Sequence, residues 1–168
     1  MLEISTSLNV NQLDQVRSLM QSLVDWLQQH YSADTRLIDE YFDEKAFTEE
    51  LSSLPGKYAQ PSGQLLLATQ QGEPAGCVGL CQLDEHTCEM KRLFVANQFQ
   101  GQGIGRQLAE TLIHNARTLG YSVMRLDTGT QQTTAKNLYY SMGFRDIPPY
   151  YPVSQVMKEE LVFMELML

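Results

Sequence analysis

Three glycines at alternate positions, Gly101, Gly103 and Gly105, lie in the run Gln100-Gly101-Gln102-Gly103-Ile104-Gly105-Arg106, directly ahead of a stretch with helical apolar spacing. Glycine permits backbone angles closed to other residues and lets a ligand come close. The first turn of a helix leaves N–H groups unpaired and carries a partial positive charge, and together these favour a phosphate. The segment reads as a pyrophosphate cradle, with close strand–helix packing as the other use of the same glycines. A dinucleotide fold fits poorly. Asp127 stands about 20 residues on, where a ribose-binding acid is expected. However, Arg106 takes the place of the third glycine, and Ala96 to Gln100 separate the strand from the glycines. No Gly-Lys-Ser/Thr follows, so an ATP-type phosphate loop is also absent.

Cys77, Cys81, His86 and Cys88 are metal-ligating types close in sequence. Four residues along a strand span about 13 Å, too far for Cys77 and Cys81 to share an ion without a turn. Buried free thiols are the expectation for all three cysteines, and no metal is expected. His30 and His114 fall in helical stretches and read as surface residues.

The elements that must position the glycine loop follow from periodicity. Leu13, Val16, Met20, Leu23, Val24 and Leu27 recur at helical spacing, with Asn11 available as a cap. An acid-rich stretch from Asp34 to Glu50 continues as helix and closes at Leu54-Pro55-Gly56. Three short strands follow, Leu65 to Thr69, Ala75 to Leu83 and Cys88 to Val95, separated by turn residues, and form an antiparallel meander. After the glycine loop the order alternates: a helix with Leu108, Ala109, Leu112, Ile113 and Ala116, a strand from Tyr121 to Asp127, a helix ended by Gly143, and a last strand from Leu161 to Leu168. The expected fold class is α/β, one domain over residues 1–168 with helices packed on a central mixed sheet.

Composition narrows the function. The chain has 168 residues, 43% apolar and 19% charged, enough for one buried core without staples. Its formal net charge of −8 opposes binding to phosphate backbones, so no nucleic-acid partner is expected. The apolar runs are short and Glu3 stands where a signal peptide would be basic, so neither a membrane span nor export is expected. Three cysteines suit a reducing cytoplasm. A homodimer is compatible with the sequence.

Gln100, Gly103 and Gly105, preceded by the strand Glu89 to Val95, resemble the central Q-x-x-G-x-G motif of the GNAT N-acetyltransferase superfamily. Leu138-Tyr139-Tyr140-Ser141-Met142-Gly143-Phe144 is similar to that family's L-Y-x-x-x-G-F helix end, and the order of elements agrees over nearly the whole chain. The resemblance implies the acyl-CoA N-acyltransferase fold and an acetyl-CoA-dependent enzyme acting on a small-molecule or peptide amine. It also implies that Leu93, Phe94 and Val95 lie along the pantetheine arm, and that Gln100, Gly101, Gln102, Gly103, Ile104, Gly105 and Arg106 hold the pyrophosphate. The family often has Arg where Gln100 stands, and Arg106 is the remaining cation of the loop. It often has Asn where Gln132 stands, with Asn137 available further along the helix.

Acetyl transfer requires a neutral amine, a polarised thioester carbonyl and a proton for the leaving thiolate. By resemblance Glu89 is the general base and Tyr139 the general acid, with a backbone N–H of Val95 at the carbonyl. The other readings are a strand carboxylate facing solvent and a packed ring. Strict alternation puts Glu89, Lys91, Leu93 and Val95 on one face, and a bulge in this strand would change that. For the acceptor the places to look are the acids from Asp34 to Glu50 and the pair Tyr150 and Tyr151. A non-catalytic acyl-CoA-binding module of the same fold is the alternative function.

Overall fold

Helix α1 (Val10–His30) begins two residues earlier than the Asn11 reading requires. Asn9 is extended and accepts from the Gln12 backbone N–H at 2.9 Å, while the Gln12 side chain accepts from the Asn9 N–H at 3.0 Å. That reciprocal pair satisfies two end donors at once, which Asn11 could not do from inside the first turn. The computed structural model describes residues 1–31 and 33–168.

The acid-rich stretch is two helices, α2 (Arg36–Tyr41) and α3 (Glu44–Ser53), broken where Asp43 caps the second through the Ala46 N–H. The strands are β1 (Leu2–Ser5), β2 (Gln64–Gln70), β3 (Glu73–Gln82), β4 (Thr87–Val95), β5 (Val123–Gly129), β6 (Arg145–Ile147) and β7 (Leu161–Met167). Helices α4 (Ile104–Thr118), α5 (Thr133–Ser141) and α6 (Gln155–Glu160) complete the chain. The three-residue β6 and six-residue α6 flank the segment holding Pro148, Pro149 and Pro152 and are too short for periodicity to reveal. Strand β5 starts at Val123 because the Tyr121 N–H is spent on the Ala116 carbonyl, closing the end of α4.

One mixed sheet has the order β1-β2-β3-β4-β5-β7-β6, and β4 with β5 is the parallel pair. Its two faces carry separate cores. On one, the α4 stripe of Leu108, Ala109, Leu112, Ile113 and Ala116 packs on Leu66, Val78, Leu80 and Met90. On the other, the α1 stripe of Val16, Leu19, Met20, Leu23, Val24 and Leu27 packs on Leu65, Leu67, Cys77 and Phe94. Alternation along β2 feeds both cores, as a central strand covered on both sides requires. Burying a side chain such as Leu66 or Met20 contributes about 1.5–3 kcal/mol, so the sheet is a rigid platform. A third cluster joins Leu37 and Phe163 to Tyr150, Tyr151 and Val153, folding the segment before β7 back over the sheet. Among the described residues no helix is long and apolar enough to cross a membrane.

Candidate active site

The central strands separate at the middle of the sheet. β4 and β5 pair only at Thr87–Val123, Cys88–Met124 and Glu89–Arg125, so beyond Glu89 the peptide groups of β4 face a cleft instead of a neighbour. The parting coincides with a bulge. Cys77 pairs with Phe94 and Gly79 with Lys91, so β4 carries one residue more than β3 over this interval. Arg92 has φ +61°, a left-handed angle that costs a non-glycine residue roughly 1–2 kcal/mol.

The bulge resets the faces. Leu93 and Val95 pack against the α4 core, while Phe94 packs with α1. Glu89, in register with Cys81, lies on the α1 side, so Glu89 and Lys91 do not share a face with Leu93 and Val95 as strict alternation would have it. Arg92 is held in its conformation by a built pocket. Its guanidinium donates to both Glu50 oxygens at 2.9 and 3.1 Å and lies 4.7 Å from the centre of the Phe42 ring, with Tyr41 and Phe47 at 5.7 Å. Burial alone would raise the Glu50 carboxyl, but hydrogen bonds from Arg92 and Lys57 outweigh it and hold the group at about 2.

At the far end of β4 the glycine loop has the form the sequence suggested. Gly101 and Gly103 have φ +77° and +78°, and a Cβ on either would meet no atom within 4 Å. These two glycines are therefore needed for backbone angle, and the space beside them is open. None of the backbone N–H groups from Gly101 to Arg106 donates to an acceptor among the described residues. Gly103 caps α4 without a side-chain bond, leaving the helix start bare. Ile104 is buried and anchors the turn, and a Cβ on Gly105 would lie 3.6 Å from Val95. The Gln100 amide donates to the Val95 carbonyl at 3.0 Å and to Asn97 at 3.2 Å, tying the loop to β4. Gln102 donates to the Gln98 carbonyl. Arg106 turns toward α5, donating to Ser141 at 2.8 Å, with Glu110 at 3.5 Å. Asn137 is exposed on α5. The Gln132 side chain accepts from the Gly129 N–H at 2.6 Å.

Between these parts is a cleft of about 100 Å³ lined by Leu93, Lys91, Asp127, Gln132 and Tyr139 among others. Tyr139 is 6% exposed, edge-on to Phe144, and its hydroxyl has no hydrogen-bond partner among the described residues. Burial first, and the charge of Asp127 second, push its phenol above the ordinary range, so it keeps its proton at neutral pH.

Carboxylates and tyrosines crowd the α2 side. Tyr150 donates to Glu89 Oε2 at 2.5 Å, and Cys81 Sγ and Lys91 Nζ each lie 3.6 Å from Oε1. Asp127 accepts from Tyr41 at 2.6 Å and from Tyr151 at 2.8 Å. All three phenols are raised, by burial above all and then, for Tyr150, by the Glu89 charge and, for Tyr41 and Tyr151, by the Asp127 charge. Glu89 is therefore a buried carboxylate with specific partners, not a strand residue facing solvent. Of the acid-rich stretch, Asp34, Asp39, Glu40, Asp43, Glu44 and Glu49 are exposed, and Glu50 is drawn inward by Arg92. The cysteines are buried free thiols, with burial pushing Cys77 and Cys88 up to about 12 and Cys81 to about 11.

The sequence reading missed Tyr41, Lys91 and the Glu50–Arg92 pair, and weighed Asp127 only as a ribose ligand. For Asp127 a signal existed: an acid between Leu126 and Thr128 in a strand that the sheet buries. Tyr41 gave none, and Glu50 was not separable from the other acids of its stretch, because both reach β4 and β5 only through the tertiary fold.

Comparison with known proteins agrees with this fold. The acetyltransferase (GNAT) family model matches residues 20–144. An uncharacterized N-acetyltransferase of Dictyostelium discoideum is 31% identical over 200 aligned positions, 83% of this chain and 88% of that protein. Human N-acetyltransferase 8 is 37% identical over 112 residues, 63% of this chain and 49% of that protein. The PaiA N-acetyltransferase of Thermoplasma acidophilum, solved in complex with coenzyme A, has the same fold, with a TM-score of 0.72 over 100% of this chain and 99% of that one at 16% identity.

Proposed function

Because this chain belongs to the GNAT acetyltransferase family and is on that ground an acyltransferase, we propose that it transfers the acetyl group of acetyl-CoA to the primary amine of a small-molecule or peptide acceptor. Residues 1–168 work as one N-acetyltransferase domain in this reading. The observation that carries it is the parting of β4 from β5 beside a cleft that holds the protonated Tyr139 phenol, together with the unpaired N–H groups of the glycine loop that follows β4.

Fit to the cosubstrate rests on the open cradle at Gly101 and Gly103, which a Cβ would enter without touching protein. The loop from Gln100 to Arg106 holds the pyrophosphate through backbone N–H groups at the start of α4, the arrangement that suits a phosphate. Leu93, Phe94 and Val95 hold the pantetheine arm through their peptide groups, and Asn137 on α5 is a further contact. Gln100 contributes by fixing the loop, since its amide is spent on Val95 and Asn97. The thioester supplies an activated acetyl group. Glu89 takes the proton from the acceptor ammonium, directly or through a water. The Val95 N–H polarises the acyl carbonyl, Tyr139 gives its phenol proton to the departing sulfur, and the second proton released by the amine nitrogen restores the phenol. Three buried free thiols support a reducing compartment, and the cytoplasm is the proposed location.

Calorimetric titration with acetyl-CoA, with CoA and NAD in parallel, tests the reading, followed by an amine screen read by thiol release. Binding of acetyl-CoA but not NAD, with release dependent on an amine, is expected. Absence of acetyl-CoA binding refutes the cradle, and binding without release for every amine class refutes the transfer.

A further inference from the structure

The acyl-transfer cleft already contains a primary amine. Lys91 lines it together with Leu93, Asp127 and Tyr139, and its ammonium lies 3.6 Å from Glu89 Oε1 and 3.4 Å from the Tyr41 hydroxyl. The Lys91 side chain is 14% exposed, with Nζ 5.4 Å from the centre of the Tyr41 ring. Both contacts are long. Glu89 already accepts from Tyr150 at 2.5 Å, and Tyr41 has its proton on Asp127 at 2.6 Å. Lys57, by contrast, sits on Glu50 at 2.9 Å outside this cleft, and Lys45 and Lys158 are exposed.

Resting on the acetyl-transfer reading above, we propose that Lys91 is an intramolecular acetylation site, modified from acetyl-CoA when no external amine fills the cleft. Lys91 Nζ forms a bond to the acetyl carbonyl carbon as the carbon–sulfur bond breaks. Of the two protons that Nζ gives up, one reaches the sulfur by way of Tyr139, and the other passes to Glu89 and leaves to solvent. The product is an N-acetyl-lysine and a free thiol. It removes the cation beside Glu89 and places an amide and a methyl in a cleft of only about 100 Å³. The modification thus closes the acceptor side, a brake that acts when cosubstrate is plentiful and acceptor is scarce.

The test is incubation of the purified protein with acetyl-CoA and no amine, followed by intact mass and peptide mapping, with calorimetry on the same preparation. A single acetyl group on Lys91 is expected, which also blocks tryptic cleavage after that residue. Its first-order rate should be independent of protein concentration and fall about a hundredfold or more in Tyr139→Phe, the scale of a general acid. Lys91→Arg should remain folded by circular dichroism and gain no acetyl group. Acetyl-CoA binding without modification of Lys91 overturns this inference and leaves the functional reading standing. Equal acetylation of Lys45, Lys57, Lys136 and Lys158, or a rate that rises with protein concentration, also overturns it. Absence of acetyl-CoA binding overturns both.

Discussion

Glu50→Gln removes the one carboxylate on the buried Arg92 guanidinium while preserving side-chain shape. Both side chains are about nine-tenths buried, and Glu50 carries Lys57 as well. Two routes give the size of the effect. Removing one partner of a buried ion pair costs about 3–5 kcal/mol, because the other charge is left without compensation. A carboxyl held at about 2 instead of its ordinary 4.5 contributes about 3 kcal/mol at neutral pH. Because the folded value is the lower one, this stability is complete above about pH 4.5 and is lost as pH falls toward about 2. The variant should unfold in urea with a free energy about 3 kcal/mol below the wild type at pH 7, and its melting temperature should fall by roughly 10 °C, at 2–4 °C per kcal/mol for this size. The difference should shrink as the wild type is acidified through that window. Arg92→Met in addition should restore part of the loss, since it removes the orphaned cation. A single-variant loss under about 1 kcal/mol, or a difference that does not change with pH, refutes the view that this pair fastens the bulge of β4.

Four further outcomes follow from the site. Tyr139→Phe should lower turnover by about 10²–10⁴ with acetyl-CoA affinity unchanged by calorimetry, because only the hydroxyl is removed and the packed ring is kept. Glu89→Gln should lower turnover in the same way, and rates equal to wild type in both variants would remove the assigned roles. Gly103→Val puts a β-branched residue at φ +78° and so distorts the loop locally, while no atom lies within 4 Å of the added Cβ to disturb the core; the fold should hold by circular dichroism and acetyl-CoA binding should be lost, and undiminished affinity places the ligand elsewhere. Gln100→Ala releases the Val95 carbonyl and should weaken acetyl-CoA binding by about tenfold or less, the scale of one net hydrogen bond, measured by the same titration.

Much of the frame was legible because it depends on local rules. The apolar spacing of α1 and α4, the punctuation of the meander and the left-handed glycines ahead of α4 are each written in a few consecutive residues. Boundaries slipped where a competing bond decided them: Asn9 over Asn11 at the start of α1, and the Tyr121–Ala116 bond at the start of β5. Short β6 and α6 carry too few residues for a period to appear.

The site divides along the same line. Glu89, Tyr139 and the loop from Gln100 to Arg106 are proposed from motifs, because those motifs sit in contiguous runs. The bulge at Arg92 could not be placed from sequence, since it exists only in the register between β3 and β4 and is held by Glu50, 42 residues away along the chain. The same is true of Asp127, whose two phenol donors come from α2 and from the segment before β7. Sequence by itself determined the long helices, the strands of the meander and the glycine turn ahead of α4, because periodicity and glycine angles act over neighbouring residues. Only the tertiary structure decided that Asp127, Tyr41, Tyr139 and Lys91 share the cleft, because their meeting depends on how distant segments close over one parted pair of strands.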